Sequence, residues 1–234
     1  MKVLIVVTSV SRLDDLHPTG VWLEEYAIPF TALIEAGVET VVASPKGGPA
    51  PIDPKSGKHP SADILWRASL EALAYTRPLS EISLDGFDGV FFPGGHGPMI
   101  DLAGDADLKR LVGRFAETGR VIAAVCHGPA ALLGATAPDG APLVAKRKVT
   151  GFTNGEEALS GVQAQLPFCL ETRLIAEGAL FEHAVLPFAG HVVRDGWLIT
   201  GQNPASSEGV ARCLIEALGE RQRAELLHQP GPSV

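Results

Sequence analysis

The chain has 234 residues, a length that suits one large domain or one domain with an appendage. Apolar residues make up 46% and charged residues 20%, so a full core can form without disulfide or metal staples. The formal net charge of -8, with acidic and basic residues interspersed, argues against nucleic acid or an anionic membrane as partner, since either would select a basic face.

The three cysteines, Cys126, Cys169 and Cys213, stand at wide, unrelated spacings with no C-x-x-C, which supports neither a disulfide framework nor a zinc ribbon. The opening MKVLIVVTSVSRLDD holds an apolar run of about six residues and no small-residue cleavage pattern, so it reads as a buried strand rather than a signal peptide. No stretch approaches the roughly 20 apolar residues of a membrane span. These features predict a reduced, cytoplasmic, soluble protein.

In chain order, Lys2–Thr8 (KVLIVVT) is a continuous Val/Ile run, the pattern of a strand covered on both faces. Gly20–Ala36 has apolar residues at helical spacing, with Pro29 predicting a kink or a late start. Val38–Ala43 is the second strand. Pro45–Pro60, dense in Pro, Gly and Lys, is a surface loop long enough to act as a lid or pocket wall. Leu70–Tyr75 and Leu79–Ile82 are short helical pieces, and Asp88–Phe92 is a third strand running into PGGHGP.

Asp105–Glu117 is an amphipathic helix, and Arg120–Val125 a fourth buried strand. A short strand at Lys148–Gly151, helices around Thr153–Leu159 and Thr172–Glu177, a strand at Trp197–Gly201 and a helix from Ala205 to Leu218 follow. Beyond Gly219 the chain turns polar and Pro-rich, so residues 219–234 read as a loose tail on a single domain of residues 1–218. Alternating helices and continuous apolar strands predict an α/β fold with a doubly wound, mostly parallel, flavodoxin-like sheet between helices. In such sheets ligands bind at the carboxyl ends of the strands, where PGGHGP and CHGP both fall.

Ala124-Val125-Cys126-His127-Gly128 has the form small-x-nucleophile-x-Gly between a strand and a helix, the pattern of a nucleophile elbow. A helix starting just after Cys126 would point free N–H groups at the sulfur and lower the thiol pKa. Pro129 suits that first turn, where its missing N–H costs little. Cys213, inside VARCLIEAL, and Cys169 read as packing. Gly94, Gly95 and His96 follow a buried strand, and their backbone N–H groups together with that of His127 are candidates for an oxyanion hole, with His96 read chiefly as shaping the loop. GGHG lacks the ending of a phosphate loop, and His17, His59, His183 and His191 show no metal-ligand spacing.

VFFPGGHGPM, AAVCHGPAALL and VTGFTNGEEAL together resemble the ThiJ/PfpI group of the class I glutamine-amidotransferase-like superfamily. With TGVWLEEYAIPF and LITGQNPASS, the likeness is to its stress-inducible chaperone and glutathione-independent glyoxalase III branch, and it extends over nearly the whole chain. The resemblance implies Cys126 as nucleophile, His127 as the triad histidine, Glu157 as the acidic third member and Glu25 as the acid against the sulfur, with Glu156 and Glu24 as the neighbours to rule out. It implies no cofactor, no metal, a small 2-oxoaldehyde substrate such as methylglyoxal, and a homodimer. The same constellation also serves PfpI-type amide or peptide hydrolysis, deglycation, holdase binding of unfolded proteins or redox sensing at Cys126. A glutamine amidotransferase proper is disfavoured, because HAV and HVV stand where His-x-Glu would be expected.

Overall fold

A computed structural model of the chain describes residues 1–57, 66–83 and 85–227. Residues 58–60 of the predicted Pro45–Pro60 loop and residues 228–234 of the predicted tail lie outside the described residues.

The elements are β1 (Lys2–Val6), α1 (Leu23–Glu35), β2 (Glu39–Ser44), α2 (Arg67–Ala74), β3 (Arg77–Pro78), β4 (Gly89–Phe92), α3 (Pro98–Asp101) and α4 (Ala106–Glu117). They continue with β5 (Val121–Val125), β6 (Lys148–Val149), α5 (Asn154–Ser160), α6 (Leu170–Ala176), β7 (Leu180–Phe181), β8 (Val192–Asp195), β9 (Leu198–Gly201) and α7 (Ser207–Leu227). A 7-stranded sheet runs in the order β3-β2-β1-β4-β5-β9-β8, and β6 pairs with β7 in a separate 2-stranded sheet. Every pairing in the large sheet is parallel except β8 with β9. The expected flavodoxin-like architecture is present.

The unbroken apolar runs have a simple cause. Alternate side chains of β1 enter different cores, Leu4 and Val6 on one face of the sheet and Val3, Ile5 and Val7 on the other. Both faces are covered, so neither set can be polar. Leu108, Leu111, Val112 and Phe115 of α4 join the first core; Tyr26, Ala27, Phe30 and Leu33 of α1 and Val210 and Leu214 of α7 join the second.

The Asp105 side chain accepts from the Leu108 N–H at 2.8 Å and caps α4, as Asp followed by an amphipathic run predicts. Replacing it by alanine is expected to cost about 1 kcal/mol of unfolding free energy, read as a lower urea midpoint with an unchanged m-value.

Three predicted elements differ from the structure. Helix α1 begins at Leu23 and continues through Pro29, which is buried and forgoes only the bond its N–H would have made to the Glu25 carbonyl. The predicted strand at Lys148–Gly151 is two residues long and lies in the small sheet, so it does not extend the main one. The loose tail is corrected most: α7 runs on to Leu227, with Arg194–Glu220 and Arg221–Glu225 ion pairs on the added turns. Residues 219–227 are therefore helix, their polarity reflecting an exposed surface rather than absent structure. The edge strand β8 has no strong apolar signal in VVRD, because only Val193 is buried while Arg194 is exposed.

Candidate active site

Cys126 follows β5 with φ 60, a left-handed conformation that is unusual for a residue with a side chain. Its N–H donates to the Gly201 carbonyl and its own carbonyl accepts from the Phe152 N–H, both at 2.9 Å, so β9 and the GFT segment clamp the turn. The glycines around it are there for close approach. A Cβ on Gly128 would lie 2.0 Å from the Phe92 oxygen, and one on Gly94 would lie 2.5 Å from a Glu25 oxygen and 2.8 Å from the Cys126 Cβ. The nucleophile elbow read from small residues beside Cys126 is thus a real strained turn.

Cys126 Sγ lies 3.3 Å from His127 Nδ1, and His127 Nε2 lies 2.6 Å from Glu157 Oε2. The other Glu157 oxygen meets His96 Nε2 at 3.1 Å and accepts from Ser160 Oγ at 2.9 Å. The two imidazoles lie tilted by 42° with centroids 4.3 Å apart, and the Phe152 ring lies 4.6 Å from that of His127. His127 and Glu157 are almost fully buried. Although burial alone would raise it, Glu157 is held well below the usual carboxylate range by hydrogen bonds from His127 and His96. Burial, reinforced by His96, lowers the His127 pKa to about 4 despite Glu157. A neutral imidazole beside a carboxylate places its proton on Nε2, which leaves Nδ1 as a base facing the sulfur. His96, His127 and Glu157 bring metal-ligating atoms within 4.8 Å of one another, but each histidine is already hydrogen-bonded to Glu157.

Glu25 is fully buried, and one of its oxygens accepts from the Gly94 N–H at 2.9 Å. Burial raises its pKa to about 8 against the hydrogen bonds to Cys126 and Gly94, so at neutral pH it carries a proton beside the thiol. Glu24 points elsewhere: its Oε1 accepts from the Gly57 N–H at 3.0 Å.

The expected lowering of the Cys126 pKa is overturned. Burial pushes the thiol well up, and the charges of Glu25 and Glu157 add to this, while only the His127 N–H pulls it down. The Glu25 contribution operates only while Glu25 is ionised. The element after the elbow, Gly128–Leu132, is a short 3-10 helix, too brief to supply the dipole of a full α-helix. The resting group is a thiol.

Glu25 also makes a stability prediction. Its folded pKa of about 8 exceeds the ordinary value of 4.5, so the folded state holds a proton that the unfolded chain releases. That contribution is complete below about 4.5 and is lost as pH rises through about 8. His127 acts in the opposite sense, between its folded value of about 4 and 6.5, so comparison above pH 6.5 isolates Glu25. Glu25→Gln should gain on the wild type by on the order of 2 kcal/mol between pH 6.5 and pH 8 in urea unfolding. A gap that stays constant over that range would remove the protonated Glu25.

A cavity of ≈ 190 Å³ opens above the thiol, lined by Cys126, His127, Gly95 and His96 with Trp22, Phe152, Phe188 and Pro204. Lys55 and Ser160 complete the lining. Lys55 makes the described part of the predicted Pro45–Pro60 loop a pocket wall. That loop is fastened by Val21 N–H to the Pro51 carbonyl at 2.7 Å and Asp53 N–H to the Val21 carbonyl at 2.9 Å. The predicted residues Cys126, His127, Glu157, Glu25, Gly95 and His96 therefore come together. Trp22, Phe152 and Pro204 were missed as individual residues although each lies in a segment whose pattern stood out, and Phe188 left no sequence signal at all.

The sequence pattern of the DJ-1/PfpI family matches residues 16–217. The chain belongs to the DJ-1/PfpI family. Among DJ-1/PfpI relatives, glutathione-independent glyoxalase HSP31 of Saccharomyces cerevisiae is 31% identical, over 93% of this chain and 98% of its own. The crystal structure of glyoxalase III from Candida albicans superposes with a TM-score of 0.83 at 29% identity, covering 93% of this chain and 97% of that one. The Rapid Encystment Protein 24 KDa of Francisella tularensis reaches a TM-score of 0.85 at 31% identity, covering 93% and 98%. Among the described residues, no helix of this DJ-1/PfpI protein is long and apolar enough to cross a membrane.

Proposed function

We propose that the protein is a glutathione-independent glyoxalase, converting methylglyoxal or a similar small 2-oxoaldehyde to the 2-hydroxy acid. The observation that carries this reading is the Cys126–His127–Glu157 chain, with contacts of 3.3 Å and 2.6 Å, at the base of a small, largely apolar cavity. At ≈ 190 Å³ the cavity is below the range of about 300–1,000 Å³ typical of drug-sized ligands, which supports a few-atom substrate over a polypeptide. The names of the yeast relatives support the same chemistry.

Cys126 Sγ bonds to the aldehyde carbon while its proton passes to His127 Nδ1 and on to the carbonyl oxygen, giving a hemithioacetal. The N–H groups of Gly95 and His127 are the proposed donors to that oxygen. The proton on the former aldehyde carbon then leaves and returns at the neighbouring carbon through an enediol, forming a thioester. Water cleaves the carbon–sulfur bond, releasing the 2-hydroxy acid and restoring the thiol. His127 lines the cavity whereas Glu25 does not, so His127 is assigned the proton transfers. Glu25, protonated at neutral pH, stabilises the sulfur as it gains charge.

The test is incubation of the purified protein with 13C-labelled methylglyoxal in the absence of glutathione, followed by NMR. Stoichiometric lactate is expected. Methylglyoxal consumed without lactate would indicate adducts on side chains and would sink the proposal.

A further inference from the structure

We propose that Phe188, held in place by Glu156, is the specificity wall of the cavity and selects 2-oxoaldehydes whose second substituent is apolar or aryl. This deepens the glyoxalase reading and rests on it. Phe188 lines the cavity, its ring centroid 6.1 Å from that of Phe152, and its backbone sits at φ 62. A bulky aromatic residue in that conformation is a genuine outlier that the surroundings must impose.

Apolar burial does not impose it. Val185 is 95% exposed, Leu186 68% and Phe188 itself 47%, so the loop gains little from removing side chains from water. Polar anchors do the holding. The Phe188 N–H donates to Glu156 Oε1 at 2.8 Å, Asn203 Nδ2 to the Ala189 carbonyl at 2.8 Å, and the Ala184 N–H to Gln202 Oε1 at 2.8 Å.

Glu156 is the hub of this arrangement. Its Oε1 also accepts from Gln202 Nε2 at 2.9 Å and Asn203 Nδ2 at 2.8 Å, and its Oε2 accepts from the N–H and hydroxyl of Thr153 at 2.9 Å and 3.0 Å. The side chain is fully buried and every partner is a donor. It joins the start of α5, the Phe188 loop and the turn after β9 at one point. A helix cap needs only the Thr153 contacts; the remaining three serve the wall. Glu156 is therefore a positioning residue that acts through Phe188. Trp22, Phe152 and Pro204 add further apolar surface to the wall, beside the polar Lys55 and Ser160, which fits an apolar substituent on the carbon next to the aldehyde.

The test compares kcat/KM for phenylglyoxal and for glyoxal, which has no substituent to contact the wall. Phe188→Ala should lose roughly 10-fold on phenylglyoxal, the scale of one lost apolar contact, and stay within about 2-fold on glyoxal. Glu156→Gln turns an amide NH2 toward N–H or O–H donors at equal volume. It should raise KM for phenylglyoxal with kcat little changed, and the double variant should lose no more than Phe188→Ala alone. Equal losses on both substrates, or additive losses in the double variant, overturn the proposal. Should Glu156→Gln not fold, Phe188→Ala decides alone.

A readout free of turnover is the rate of Cys126 alkylation by phenacyl bromide relative to iodoacetamide, followed by peptide mass spectrometry. That ratio should fall about 10-fold in Phe188→Ala. If no 2-oxoaldehyde is turned over, the glyoxalase reading fails, and an unchanged alkylation ratio overturns the wall separately.

Discussion

Replacing Cys126 by alanine should abolish lactate formation, with kcat falling by at least about 10⁴-fold, as expected for loss of a covalent nucleophile. The chemistry requires a bond from Sγ to the aldehyde carbon, and no second thiol stands in the cavity. Cys169 and Cys213 are the remaining cysteines, and neither lines it. The substitution keeps the elbow, because alanine is no bulkier than cysteine and the backbone bonds from Gly201 and to Phe152 do not involve the sulfur. Residual activity above about one per cent in 13C NMR would transfer the reaction to another group and end the assignment.

Glu157→Gln is the second large effect, expected at roughly 10²–10⁴ in kcat with little change in KM. The carboxylate at 2.6 Å from His127 Nε2 both sets the tautomer and stabilises the imidazolium formed when Nδ1 takes the thiol proton. A glutamine oxygen on Nε2 preserves the tautomer and removes only the charge. A glutamine NH2 there reverses the tautomer and removes the base facing the sulfur, which accounts for the width of the range. A pH profile separates this role from a structural one. On its acid side the wild type should lose kcat/KM as pH falls toward about 4, where His127 protonates. In the variant the acid limb should move lower still, because Glu157 raises the His127 pKa. An unmoved limb would make Glu157 a packing residue.

The legible part of this protein was written in local pattern. Runs such as KVLIVVT and VIAAV name buried strands because a parallel sheet covered on both faces tolerates no polar alternation. Ala-Val-Cys-His-Gly names the elbow because small residues two positions either side of Cys126 permit so sharp a turn. The segment likenesses pointed to Cys126, His127, Glu25 and Glu157, and the fold brings these four side chains together.

Tertiary structure decided the rest. Consecutive residues on a helix face about 100° apart, so which of Glu24 and Glu25, or Glu156 and Glu157, meets the sulfur or the imidazole depends on how the helix docks. Docking turns Glu25 to Gly94 and Cys126 and sends Glu24 to Gly57; it gives Glu157 to the histidines and Glu156 to the Phe188 loop. The sign of the Cys126 shift could not be read locally, because desolvation depends on everything packed around the thiol and here outweighs the short helical turn behind it. Phe188 entered the site through a backbone angle, and no residue type announces a left-handed phenylalanine; its loop is tied by hydrogen bonds to Glu156, Gln202 and Asn203, all distant in sequence. The chain alone determined the sheet and the sharp turn at Cys126, which are matters of local sterics and apolar periodicity. Protonation states and the shape of the wall came from contacts between residues far apart in sequence, which exist only once the chain has folded.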